Sequence, residues 1–278
     1  VLRHRLEIVA AAVLWSSAGA AIKLNGLSGW QIAGGRSLVA GAFLWLAFRE
    51  ARRRWTRRTV LVGIAYAFTV VLFVLATKLT TAANAIFIQD TAPLWVMVLS
   101  PWLLRERPTR SELWSIPLYA LGLGLFFLDD LSGGQTLGNL VALASGVAFA
   151  LSIVGLRHAG EEGPSALVLG NLLAAAIALP FWPAGPEPRL LDLGLLLYLG
   201  VFQLGLAYLL FSKGLRGTPA VEASLIVLLE PVLNPIWTFL FAGERPGPWA
   251  IAGGAIVLAA TAWRTVAPGL AGRAARAG

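Results

Sequence analysis

The sequence predicts an all-α integral membrane protein of ten transmembrane helices, arranged as two inverted five-helix repeats. Three observations predict it. The first is polarity: 58% of the 278 residues are hydrophobic, only 13% are charged, and the mean hydropathy is +0.75. Soluble domains carry about 25% charged residues, so most of this chain is suited to lipid rather than water. The second is length: apolar runs of about 17–25 residues, enough to cross a bilayer, recur from end to end. The third is a proline-broken frame that occurs twice. Thr80, Pro93 and Arg105-Glu106-Arg107-Pro108 stand at the same intervals as Thr218, Pro231 and Gly243-Glu244-Arg245-Pro246. Asn84 of the first copy falls opposite Glu222 of the second.

Spans are expected near 6–24, 30–48, 59–77, 82–104, 112–128, 137–156, 164–182, 192–212, 219–242 and 248–265. In the first, Arg3, His4 and Arg5 precede an apolar run with small residues at Ser17-Ala18-Gly19-Ala20, a pattern shared with signal peptides. The run is too long for a signal core, and the repeat uses it as a full element. The connections carry turn chemistry, as at Asn25-Gly26, Ser132-Gly133-Gly134, Glu162-Gly163-Pro164 and Gly247-Pro248. The alternating ten-residue segments of a membrane barrel are missing. An odd number of spans per half turns the second half over relative to the first. The halves are expected at 1–131 and 132–278, with the site at their midplane interface.

Orientation follows from Lys and Arg. With both termini cytoplasmic, that side holds Arg3 and Arg5, then Arg49, Arg52, Arg53, Arg54, Arg57 and Arg58. It also holds Arg105, Arg107, Arg110, Arg157, Lys213, Arg216, Arg264, Arg273 and Arg276. Lys23, Lys78, Arg189 and Arg245 fall opposite, and Arg36 lies inside the second span. The net charge of +8 therefore reads as a topology signal, and no nucleic-acid partner is expected. The chain has no cysteine and two histidines, which leaves no cofactor or metal site in prospect. It has no glycine-rich phosphate loop for ATP.

Ionisable groups within spans cost about 2.5–3.5 kcal/mol each on the insertion scale, so each needs a reason. Glu230 is the deepest acid and directly precedes Pro231. It suits either a binding or proton-carrying role, or a partner for the backbone groups that Pro231 frees. Asp90 is the second candidate for coupling. Glu222 sits in the first turn of its helix, with Thr218 as the expected N-cap and Pro219 at the first helical position. Asn84, Ile88, Thr91, Trp95 and Trp102 share one helical stripe. Arg36 is expected to pair with an acid such as Asp90 or to reach the interface. Gln203 and Tyr208, five residues apart, point to different sides of a regular helix. The expected substrate cavity comprises Trp15, Ser16, Asn84, Thr91, Trp95, Gln203, Tyr208, Glu222, Glu230 and Asn234. Pro93, Pro231 and Pro235 are the expected hinges. Gly122, Gly124, Gly253 and Gly254 read as close-packing positions.

The span count, Arg36 early in span two, and the Pro…Arg/Gly-Glu-Arg ending of spans four and nine resemble the drug/metabolite transporter superfamily. The resemblance is nearest to its EamA-type branch and covers roughly 6–265. It implies a secondary transporter in the bacterial inner membrane that exports small neutral or zwitterionic metabolites, amino acids foremost, by alternating access. Its partners would be that substrate and membrane lipid. The competing classes are a lipid-modifying membrane enzyme using His158-Ala159-Gly160-Glu161-Glu162, and a transporter of another metabolite or drug.

Overall fold

The computed structural model describes residues 2–52, 54–129, 136–242, 248–249, 251–253, 255–256 and 259–260. The described residues are helical, with no strand among them. In order they form α1 (Leu2–Trp15), α2 (Ala18–Leu24), α3 (Gly29–Ala47), α4 (Arg57–Leu79), α5 (Ala82–Gln89), α6 (Ala92–Leu103) and α7 (Arg110–Asp129). There follow α8 (Thr136–Ala159), α9 (Gly163–Ala178), α10 (Leu190–Tyr198), a π-helix at Leu199–Leu206, α11 (Ala207–Leu215), α12 (Ala220–Val227) and α13 (Leu229–Ala242). Span 248–265 and the Gly243–Pro246 motif lie wholly or largely outside the described residues.

Helix starts follow capping chemistry. The Ser28 hydroxyl accepts from Gln31 N, and Gln31 Oε1 accepts from Ser28 N, opening α3. Thr56 and Thr59 do the same for α4, and Thr81 caps α5 through Asn84 N. The start of α12 departs from expectation. Its N-cap is Pro219 rather than Thr218, because the Glu106 carboxylate reaches over and accepts from Ala220 N at 3.0 Å. The acid complements the helix dipole from another element. Thr218 Oγ1 is left buried without a partner.

Among the described residues six stretches are long and apolar enough to cross a membrane: Leu2–Leu24, Arg57–Leu79, Asn84–Leu103, Thr136–Ala184, Leu190–Leu215 and Ala220–Phe241. Fewer stand out than the ten expected, for visible reasons. The α8 and α9 spans run together as one stretch, and α3 is diluted by Gln31, Gly34, Gly35, Arg36 and Ser37. Large apolar residues cover the outside, including Leu46, Leu61, Leu197 and Trp102. A water-soluble surface does not carry so much contiguous apolar area.

Inside, α4 packs on α8 and α9, α3 on α9 and the π-helix, and α1 on α11. Contacts sort the polar loops to two ends. At one end Arg5 pairs with Glu222 at 2.7 Å and Arg157 with Glu106 at 2.8 Å. There too Thr56 Oγ1 donates to Glu162 at 2.8 Å, and Arg58 donates to His158 O at 3.4 Å. At the opposite end Lys23 donates to Thr80 O and Lys78 to Asn25 O. Asp192 there accepts from Gly26 N at 2.8 Å.

Candidate functional site

Regular helices satisfy their own backbone groups, so interruptions inside apolar spans mark places with another use. Four interruptions occur among the described residues. Between α1 and α2, the Ser16 and Ser17 hydroxyls donate back to Val13 O and Leu14 O. Between α5 and α6, the break at Asp90-Thr91 precedes Pro93, which has no N–H to offer the Gln89 carbonyl. Between α12 and α13, Leu228 breaks the helix ahead of Glu230-Pro231. The π-helix at Leu199–Leu206 is the fourth. Pro235 lies on the α13 backbone, and its side chain is outside the described set.

Side chains flanking all four interruptions meet at one buried cavity. Trp15 comes from the end of α1, Gln89 from the end of α5, Gln203 from the π-helix and Glu230 from the start of α13. Arg36 on α3, Thr69 and Phe73 on α4, Phe149 on α8 and Tyr208 on α11 complete the polar and aromatic wall. The cavity measures about 20 Å³, room for about one water. Admitting a metabolite therefore requires the helices to part.

The charge arrangement is specific. Arg36 donates from Nη1 to Gln203 Oε1 at 3.1 Å and from Nη2 to Val70 O at 2.9 Å. Its Nε has no partner, and neither has the indole Nε1 of Trp15. Among the described residues no hydrogen bond or ion pair engages the Glu230 carboxylate, although it is buried. The site thus presents a guanidinium with a free donor, a free carboxylate and a free indole N–H. Trp15 sits 4.6 Å from Tyr208, 5.0 Å from Phe211 and 5.7 Å from Phe149, centroid to centroid. This aromatic wall suits an apolar group between the two charges.

Arg36 does not pair with Asp90, contrary to expectation. Glycines on the π-helix decide this: a Cβ at Gly200 would collide with Val39 and Arg36 O, so α3 rests directly on that segment. Arg36 is thereby delivered to Gln203, while Asp90 faces another cavity. The π-helix also corrects the expectation for Gln203 and Tyr208. Its wider turns bring residues five apart to one side, and both line the site.

Of the other expected cavity residues, Ser16 accepts from Trp237 Nε1 at 2.8 Å just behind Trp15. Asn234 is buried against Gly19, its Oδ1 without a partner. Glu222 lies at the basic end with Arg5, and Asn84 lies at the other end, donating to Thr80 Oγ1 at 3.4 Å. Thr91 lines the Asp90 cavity, and Trp95 is on the outer surface of α6. The structure adds Thr69, Phe73, Gln89 and Phe149, which carry no signal in the sequence beyond being polar or aromatic inside an apolar run.

The profile of the EamA-like transporter family matches residues 6–128 and again 136–265. The chain belongs to that family. It is similar to the uncharacterized transporter YwfM of Bacillus subtilis, at 29% identity over 92% of this chain and 91% of that one. It is also similar to the threonine/homoserine exporter RhtA of Escherichia coli K12, at 27% identity over 80% and 77% of the two chains. A solved crystal structure shares the fold at TM-score 0.77 and 19% identity, covering 93% of this chain and 95% of that one. The EamA-like family and these relatives are membrane transporters, not enzymes. The segment that would serve a lipid-modifying enzyme is tied into loop contacts, with Glu162 accepting from Thr56 and the His158 carbonyl from Arg58.

Proposed function

We propose that this EamA-like transporter is a secondary transporter that exports small zwitterionic metabolites, amino acids with apolar or aromatic side chains foremost, by alternating access. One observation carries the reading: Arg36 and Glu230 face the same buried cavity, beside Trp15 and Phe149. A guanidinium donor suits a substrate carboxylate, and a carboxylate suits its ammonium. The aromatic wall receives the side chain. A relative named as a threonine/homoserine exporter supports a zwitterionic amino-acid substrate, and the preference for apolar or aromatic side chains rests on the aromatic wall alone.

The architecture in this proposal is ten transmembrane helices in two inverted five-helix repeats, 1–131 and 132–278. The two family matches, 6–128 and 136–265, support the division. The basic end, with Arg5, Arg58 and Arg157, supports cytoplasmic termini in a bacterial inner membrane. Pro93, Pro231 and Pro235 serve as hinges, and Glu222 with Arg5 and Asn84 with Thr80 lie on the two gates. Glu230, assisted by Asp90, carries the proton that drives export.

The Glu230→Gln variant tests the acid's part. In proteoliposomes we expect its KM for the transported amino acid to rise about tenfold, the loss of one charge-assisted hydrogen bond, and transport to lose its response to a pH gradient. Wild-type rates with unaltered pH dependence would remove Glu230 from both roles.

A further inference from the structure

A second cavity of about 220 Å³ lies between the α5–α6 break, α7 and the end of α12. Its wall is mainly apolar, with Phe87, Leu94, Met97 and Leu225 on it; Thr91 and Tyr119 add hydroxyls, and Asp90 is its one charged residue. Asp90 is buried, and its Oδ2 has no hydrogen-bond partner. A buried carboxylate so placed is costly until a cation or donor meets it. The lining residues Leu94 and Ala120 are exposed on the outer surface of α6 and α7. The cavity therefore opens sideways toward lipid rather than through either polar end.

Gly124 on α7 belongs to this wall. The sequence suggested a close-packing glycine, but a Cβ placed there meets nothing within 4 Å. The position borders open space.

We infer that this lateral cavity binds small apolar amines in their cationic form, taken from the membrane. The volume fits: an apolar cavity of about 150 Å³ accepts benzene, so 220 Å³ accommodates an arylalkylamine. The charge fits as well, since an ammonium would supply the partner Asp90 lacks. The lining also separates this ligand class from the central one. The central site offers Arg36 for a carboxylate, whereas no Lys, Arg or His is among the residues lining the lateral cavity. Amines without a carboxylate are selected here, and amino acids are not.

The test uses phenethylamine and its neutral analogue ethylbenzene with purified protein in lipid nanodiscs, read by thermal stabilisation and by equilibrium binding. Wild-type protein is expected to bind phenethylamine at least tenfold more tightly than phenylalanine at this cavity, binding at this cavity being read as the part that Gly124→Leu removes. Gly124→Leu, which fills the open space, is expected to abolish phenethylamine binding while keeping the wild-type melting temperature in the absence of amine. Asp90→Asn is expected to weaken the amine at least tenfold and leave ethylbenzene unchanged. Undiminished phenethylamine binding in a folded Gly124→Leu protein would overturn the inference. So would equal weakening of amine and ethylbenzene by Asp90→Asn. A failure of amino-acid transport alone leaves the inference standing, because Gly124→Leu is read by amine binding and not by transport.

Discussion

Replacing Arg36 by Gln is expected to lower amino-acid transport by about 10–100-fold while the protein remains folded. Charge-assisted hydrogen bonds contribute about 1.5–3 kcal/mol, and about 1.4 kcal/mol is a factor of ten. In wild type two Arg36 donors hold Gln203 Oε1 and Val70 O, and Nε is buried without a partner, which leaves it available to a substrate carboxylate. Glutamine retains an amide donor for the structural contacts but no positive charge for a carboxylate. Lysine keeps the charge and loses the planar fork, so Arg36→Lys should retain more transport than Arg36→Gln yet less than wild type. Removing one of two buried charges also leaves the other uncompensated. The double variant Arg36→Gln, Glu230→Gln should therefore recover thermal stability without recovering transport. Initial rates in proteoliposomes and melting curves read the two effects separately. Wild-type transport by Arg36→Gln would place the guanidinium in a structural role alone.

The second large effect is on the fold. Gly146 on α8 faces the α5–α6 break: a Cβ there would stand 2.9 Å from Gln89 O and 3.2 Å from Ile88 O. Both atoms are backbone, so neither can swing away. The Gln89 carbonyl is the one that Pro93 leaves without its helical donor. Near it, Gln89 Nε2 donates to Ser145 Oγ at 2.7 Å, and Ser145 donates on to Thr69 O at 3.1 Å. The glycine lets α8 come close enough to make that chain. Gly146→Ala is expected to destabilise the protein by about 1–3 kcal/mol, as overpacked cores do. Gly146→Leu should cost more and abolish recovery of folded protein. A Gly146→Leu protein with the wild-type melting temperature would contradict the close approach.

Much of this was legible in the sequence, and the reasons are local. The lengths of the apolar runs and turn pairs such as Asn25-Gly26 place helix starts within a few residues, whereas the one expected cap, Thr218, gave way to Pro219. Pro93 and Pro231 announce breaks because a proline cannot complete the ladder behind it. Glu230 stands out because an acid within an apolar run is expensive. What stayed illegible depends on contacts between distant segments. Arg36 reads as an ionisable residue wanting a partner, but its destination is set by how closely α3 lies on Gly200. The π-helix has no composition of its own, so the shared facing of Gln203 and Tyr208 could not be read from spacing. The same holds for Glu106, whose role as the cap of α12 requires a loop end to meet a helix 114 positions away.

These contacts also bear on how transport would proceed. The central cavity is closed to about 20 Å³, while Arg157, Glu106 and the first turn of α12 are tied together at one end. Lys23 and Lys78 tie the other end through Thr80 and Asn25. Opening either end means parting one set of contacts and keeping the other, which is the requirement of alternating access.

The most direct measurement of the central claim is counterflow in proteoliposomes loaded with unlabelled amino acid. Labelled threonine, homoserine and phenylalanine are offered outside, each alongside its amine lacking the carboxylate and its acid lacking the ammonium. If Arg36 and Glu230 read the two ends of a zwitterion, at least one amino acid accumulates and both of its single-charge analogues fail to exchange. Equal exchange of an amino acid and either analogue would contradict the account.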